Sequence, residues 1–431
     1  MSINSSLNAG VAGLNANAAR LAAISDNIAN SATFGYRRAQ TEFEAMVIGG
    51  TSGGYTAGGV RAITERIVDR GGALVGTASP LDLAVSGRGM LPVIDSASVD
   101  ESNPRLLMTP TGSFRRDADG FIRTESGLVL LGWPANRDGS MPTYPRDSIA
   151  GLQPMRVDAT QRSSNPTTEM SLGVNLPAAA TRAGADGTEQ NLTLEYFGAL
   201  GGTERLSVAF IPTVPASGSS GTWTVRITDS GQSGAMIGEY TLRFSDSGPA
   251  SGTVASVTTV SGASYDAASG TIALPASSGT ITLKLGRPGD SGGLTQFDSS
   301  FALVEMKKNG SPMGSMTGLA VDDQGFLVAS YDTGFSQRLY QIPLVDVPNL
   351  NGLAATGRQA FALTPDSGAM MLWDAGTGPT GRIAGFSRES SATDVAAELT
   401  SLIQTQRAYA SNAKVIQTVD EMLQETTNIK R

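Results

Sequence analysis

The chain has 431 residues, enough for two to four domains at roughly 100–200 residues each. Lysine and arginine total 31 against 39 aspartates and glutamates, a formal charge of −8, so a basic face for nucleic acid is not expected. Histidine and cysteine are both absent, which removes zinc and haem ligation, His- and Cys-based catalysis and disulfides at a stroke. Nothing marks a special pair among the 39 acids either, so no metal, cofactor or catalytic residue is expected.

The 52 glycines exceed an average share near 7%, and only 16% of residues are charged, as in a turn-rich, mainly β chain. No apolar run approaches the ~20 residues of a membrane span, so membrane insertion is not expected. The first residues lack the basic and continuous apolar regions of a cleavable secretory signal.

In chain order, Leu7, Leu14, Leu21 and Ile28 recur every seven residues, with Val11 and Ala18 between them. That spacing predicts one seam of a helix, weakened by Gly10 and Gly13 and stopped at Asn27, Asn30, Ser31 and Gly35. Gly49 to Gly59 holds six glycines in eleven positions, the composition of a flexible linker.

A β-rich body follows. Trp223, Val225 and Ile227 alternate with Thr222, Thr224 and Arg226, which places one apolar face on a strand. Leu206/Val208/Phe210, Tyr240/Leu242/Phe244 and Ile281/Leu283/Leu285 repeat the pattern. Asp117-Ala-Asp-Gly-Phe121 and Asp322-Asp-Gln-Gly-Phe326 read as two similar hairpin turns far apart in sequence. If they share one domain, the residues from about Val157 to Gln296 are an insertion within it. A calcium loop at Asp117, Asp119 and Gly120 is disfavoured, because Phe121 and Leu128 stand where oxygen ligands are required.

The last stretch is the stronger helix. Val395, Leu399, Leu402, Gln406, Tyr409, Ala413, Ile416, Asp420 and Leu423 follow alternating 4-3 spacing, with no Gly or Pro after Asp394. Ser391 with Asp394 resembles a capping box. Two lone helices at opposite ends make a poor independent core, so the seams are expected to self-associate. The expected interface is Leu7, Leu14, Leu21, Ile28, Leu399, Leu402, Tyr409, Ile416 and Leu423.

These segments resemble the axial rod and hook proteins of the bacterial flagellum. The resemblance is carried by Asp26-Asn-Ile-Ala-Asn30 with Thr33-Phe-Gly-Tyr-Arg37, and by Gln404-Thr-Gln-Arg-Ala-Tyr409 with Ser411-Asn412. Pro80-Leu-Asp-Leu-Ala-Val85 with Gly87 and Gly89, and Thr111-Gly-Ser-Phe114 with Asp119 and Gly120, are similar to the shared β domain. Leu294-Thr-Gln-Phe297, Gly310, Gly318, Asp322 to Gly325, Tyr331 and Gly334 resemble the hook branch. The chain departs from the family's usual Leu-Glu-x-Ser-Asn-Val-Asp run, reading Arg388-Glu-Ser-Ser-Ala-Thr-Asp394.

The resemblance implies a mainly β fold with α-helical termini in nested, discontinuous domains. An inner helical polymerisation domain spans 1–35 plus 390–431, and a glycine-rich linker spans 36–75. A discontinuous β domain covers 76–156 plus 300–389, and an inserted outer β domain covers 157–299. The implied function is that of a non-enzymatic subunit of a hollow, curved helical tube, a universal joint carrying torque from rod to filament. Implied partners are further copies of the chain, the hook cap, the distal rod, the hook-filament junction proteins and the flagellar type III export apparatus. The implied location is the extracellular hook, reached without signal cleavage. A distal rod or junction protein of the same family, or a secreted β-sandwich adhesin, remains as the alternative.

Overall fold

In the computed structural model, residues 3–47, 57–101, 104–136, 138–158 and 162–429 are described. They are mostly β, with one long helix near each end, and fall into two compact units. Unit 1 comprises Met1–Ala159, Gly318–Ala329 and Gln337–Arg431; unit 2 comprises Thr160–Thr317 and Ser330–Ser336.

Helix α1 (Ile3–Ala29) and helix α2 (Val395–Ile429) belong to unit 1. At 1.5 Å per residue they are about 40 and 52 Å long. The first carries Gly10 and Gly13, poor helix formers, where it lies against α2. A methyl group added at Gly10 would stand 3.1 Å from Ile416 Cγ1, and one at Gly13 2.9 Å from Asn412 Nδ2. Lost propensity is thus offset by close approach of the two helices. The N-cap of α2 is Asp394 itself, whose Oδ1 accepts from the Ala396 and Ala397 amides at 2.9 and 3.2 Å. Ser391, the expected cap, accepts instead from Thr393 N within the approach to the helix.

Strands β1 (Ala39–Val47) and β2 (Ala57–Arg66) pair antiparallel, from Ala39 opposite Arg66 to Val47 opposite Ala57. The expected linker over 36–75 therefore gives way to a hairpin through much of its described length. Of the Gly49–Gly59 run, positions 49–56 lie outside the described residues, and Ala57, Gly58 and Gly59 are already strand.

The β body of unit 1 is antiparallel. Leu91–Asp95 lies between Leu107–Thr109 and Leu128–Pro134, and Thr111–Arg116 lies between Asp82–Ser86 and Ile122–Thr124. Ile94, Met108, Val129, Leu131, Trp133, Val345 and Phe361 fill the core between them. The two Asp-Gly turns do share this unit, and they are alike in detail. In each, the first aspartate's Oδ1 accepts from the backbone N–H groups two and four residues on, at 2.8–3.0 Å. Gly120 and Gly325 have φ of 89° and 85°. Each glycine carbonyl accepts from a residue further along the chain, Val157 N at 2.8 Å and Ile342 N at 2.7 Å. The other Asp117 oxygen meets Arg123 Nε at 3.0 Å. The carboxylate that a calcium loop would need is therefore occupied by the turn.

Unit 2 is a β-sandwich. One sheet is a five-stranded meander from Gln190–Phe197 to Val254–Gly262, and the other is built around Glu169–Pro177. Trp223, Val225, Ile227, Leu206, Val208, Phe210, Tyr240, Leu242, Ile281 and Leu283 are all buried between them, as strand alternation requires. The unit runs past the expected residue 299, because Ala302–Lys308 pairs antiparallel with Glu169–Pro177.

Gly325→Ala should destabilise unit 1 by about 1–3 kcal/mol, since a Cβ there would sit 2.6 Å from the Ile342 carbonyl oxygen at positive φ. Gly357→Ala, also at positive φ but with nothing within 4 Å, should cost less. Chemical denaturation of both variants checks the order; equal losses would contradict it.

Candidate assembly interface

The site is built from the two helices and the corner that holds them. Asn27, the third-last residue of α1, is buried and fully engaged. Its Oδ1 accepts from Ala39 N at 2.8 Å and from the Tyr36 hydroxyl at 3.1 Å. Its Nδ2 donates to the Ala39 carbonyl at 2.8 Å and to Glu398 Oε1 at 3.1 Å. Glu398, on the first turn of α2, also pairs with Arg38. One amide side chain thereby joins α1, the start of β1 and the start of α2.

Arg37 grips the segment just before α2. Its guanidinium meets Glu389 Oε2 at 3.0 Å, with both side chains buried. Glu389 Oε1 accepts from Gly72 N at 2.9 Å, and its backbone carbonyl accepts from Gly35 N at 2.8 Å. Burial pushes the Glu389 carboxyl above its ordinary range despite the attraction of Arg37, and burial pulls Arg37 down despite Glu389. Desolvation thus outweighs pairing for both partners, so the bridge fixes geometry more than it adds stability. Beside it, the Arg388 guanidinium lies 3.9 Å from the Phe34 ring centroid. The guanidinium and its apolar stem cover that ring.

Tyr36 completes the corner. Its hydroxyl donates to Asp26 Oδ2 at 2.8 Å, and Arg66 stands 4.9 Å above its ring. Burial, reinforced by the bond to Asp26, pushes the phenol from 10 up to about 12.

The sequence-derived interface residues divide between two surroundings. Ile416 packs on Gly10 within the chain, and Leu402 and Leu423 are half-buried on the same 3-4 spaced face as Ile416 and Val419. Leu399 and Tyr409 are instead 46% and 43% exposed. On α1, Leu7, Leu14, Leu21 and Ile28 are all half-buried, while the buried positions are Ser5, Gly10, Gly13, Ala16, Asn17, Ala23, Ile24 and Asn27. A seven-residue repeat drifts by about 20° per heptad on a straight helix, which places the leucine row along the edge of the buried arc. The intrachain helix pair therefore uses small residues and leaves leucine and tyrosine flanks uncovered.

Comparison with known proteins bears on this arrangement. A family model described as flagella basal body rod protein matches residues 7–37, and one described as flagellar basal body rod FlgEFG protein C-terminal matches 384–429. A third, flagellar basal body protein FlaE D2 domain, matches 160–311. The chain is 30% identical to the flagellar hook protein FlgE of Brucella suis biovar 1 (strain 1330), over 100% of both chains. The chain belongs to the flagellar hook protein family. It is also similar to the FlgE of Escherichia coli (strain K12), 28% identical over 97% of this chain and 98% of that one. The crystal structure of Helicobacter pylori flagellar hook protein FlgE2 aligns at TM-score 0.46 and 12% identity, covering 72% of this chain and 98% of that chain.

As a hook-family protein, the chain is a structural subunit of the flagellar hook and assembles into the hook polymer of the flagellar axis. The first and last family matches coincide with α1 plus the Tyr36–Arg37 corner, and with the Glu389 segment plus α2. The middle match falls within unit 2.

Replacing only Glu389 by Gln should destabilise this hook protein by about 3–5 kcal/mol, because Arg37 would stay charged and buried. Arg37→Met combined with Glu389→Leu should cost clearly less than the two single changes summed; additive losses in denaturant titrations would contradict this account. Tyr36 also sets an alkaline limit. Its folded pKa lies above the unfolded value, so its contribution is complete below pH 10 and is lost as pH rises through 12, by up to roughly 3 kcal/mol. Tyr36→Phe should flatten the fall in stability between those values, and an unchanged slope would refute the assignment.

Proposed function

We propose that this chain builds a hollow, curved helical tube that works as a universal joint, carrying torque from the rod to the filament. Neighbouring copies meet through the helical seams, with Leu399 and Tyr409 on α2 and Leu7, Leu14, Leu21 and Ile28 on α1 completed by adjacent subunits. Leu402, Ile416 and Leu423 contribute by holding the helix pair that presents them. Contacts between different surfaces that do not close into a ring give an open helix. The role is structural, with no reaction to catalyse.

The observation that carries this reading is that Leu399 and Tyr409 stay 46% and 43% exposed along a helix that packs on α1 at Ile416. Apolar surface left open on a long helix is resolved by burial against another copy. Membership of the hook family supports a polymer as the setting for that copy. Export unfolded through the flagellar type III apparatus, without signal cleavage, follows from the same assignment, as do end contacts with the distal rod, the hook cap and the hook-filament junction proteins.

Tyr409→Asp provides the test. Because Tyr409 is exposed, the isolated subunit should keep its melting midpoint, with a change within about 0.5 kcal/mol. Electron microscopy of cells carrying the variant should then find rods without hooks. Normal hooks at normal length would overturn the seam.

A further inference from the structure

Among the described residues of unit 1, the hairpin β1–β2 has one face that no other element is seen to cover. Phe43 lies on the side overlooked by α1, with the Arg20 guanidinium 5.7 Å from its ring centroid. Strand alternation puts Gln40, Glu42 and Glu44 on the opposite side. Their cross-strand partners Glu65, Ile63 and Arg61 share that side. Three glutamates against one arginine leave it with a net charge of about −2. Glu42, Glu44, Arg61 and Glu65 are exposed, and Met46 farther along β1 is 51% exposed. A two-stranded hairpin is marginal by itself, and α1 supports this one from the Phe43 side only.

Helix α2 has a face of complementary character. Between buried Glu398 and exposed Asp420 its only charged residues are Arg407 and Lys414. Ile403, Arg407, Ala410 and Lys414 recur at four-, three- and four-residue steps and so share one stripe. All four are exposed, Ile403 by 52%. Among the described residues neither Arg407 nor Lys414, nor Glu42, Glu44 or Glu65, forms an ion pair. The stripe therefore offers a charge of about +2 beside an open isoleucine.

We propose that the Glu42/Glu44/Glu65 face of the hairpin docks on the Ile403/Arg407/Lys414 stripe of α2 in a second copy of this chain. The inference rests on the polymer reading and adds a contact distinct from the Leu399/Tyr409 seam. Met46 and Ile63 meet Ile403 at its apolar part, and the carboxylates bracket the two cations. Because the two surfaces differ, the contact is heterologous and propagates along the polymer. Its charged part is exposed, so added salt weakens it.

Charge reversal in the full chain tests this. Glu42→Arg with Glu44→Arg on one side, and Arg407→Glu with Lys414→Glu on the other, should each lower hook yield at least tenfold. The chain bearing all four changes should recover to within twofold of the parent. Melting of the isolated subunits should not move, since the contact joins copies. Normal hooks from either reversed chain, no recovery in the combined chain, or a lowered monomer melting point would each overturn the proposal. As a second readout, Met46→Cys with Ile403→Cys exploits a chain that has no cysteine of its own. Oxidised hooks should yield a ladder of linked subunits that neither single variant gives, and intact hooks without a ladder would count against it. Hooks that tolerate these reversals but vanish with Tyr409→Asp would leave the seam standing and remove only this contact.

Discussion

Two consecutive arginines hold the returning end of the chain. Arg37 pairs with Glu389 just before α2, and Arg38 pairs with Glu398 on its first turn. Asn27 bridges the same Glu398 to the end of α1 and the start of β1. Everything proposed about assembly depends on this corner, because it decides which flank of each helix stays open. Buried charges are a poor source of net stability but a strong source of geometric choice: a slipped helix would strand a carboxylate without its partner.

The helices below the corner meet through glycine and small side chains, so their axes come close without spending the large apolar groups. Gly10 against Ile416 and Gly13 against Asn412 are the points of approach. That division of labour separates folding from assembly. The subunit is completed by small contacts and polar locks, and its leucine and tyrosine flanks remain for neighbours. The same corner joins the helices to the first β body, and both belong to unit 1.

Local chemistry made part of this legible in the sequence. The two Asp-Gly turns were recognisable because an aspartate capping its own turn and a glycine at positive φ leave a fixed signature, and both lie in unit 1. Strand alternation identified the sandwich core around Trp223 and Phe210. The helix seams were visible only as apolar rows; the heptad count could not say that Ile416 packs on its own α1 while Tyr409, one heptad earlier in the same row, stays 43% exposed. The corner was invisible for a different reason. Asn27 and Glu398 are 371 residues apart, and neither residue type signals burial. Asp26 to Arg37 stood out as a family signature, yet no spacing rule reveals that Tyr36, Arg37 and Arg38 reach three different elements. The capping position moved by three residues because Asp394 caps as well as serine does, and its own geometry decides.

The central claim is that copies of this chain join by burying the flank of α2 left open in the single subunit. The most direct measurement is a cryo-electron microscopy map of hooks assembled from the unaltered chain, resolved well enough to place the Leu399 and Tyr409 side chains. The account predicts both packed against helices of adjacent subunits, with little surface left to water. Both side chains projecting into the open channel or the surrounding solvent, with the tube held together elsewhere, would contradict it.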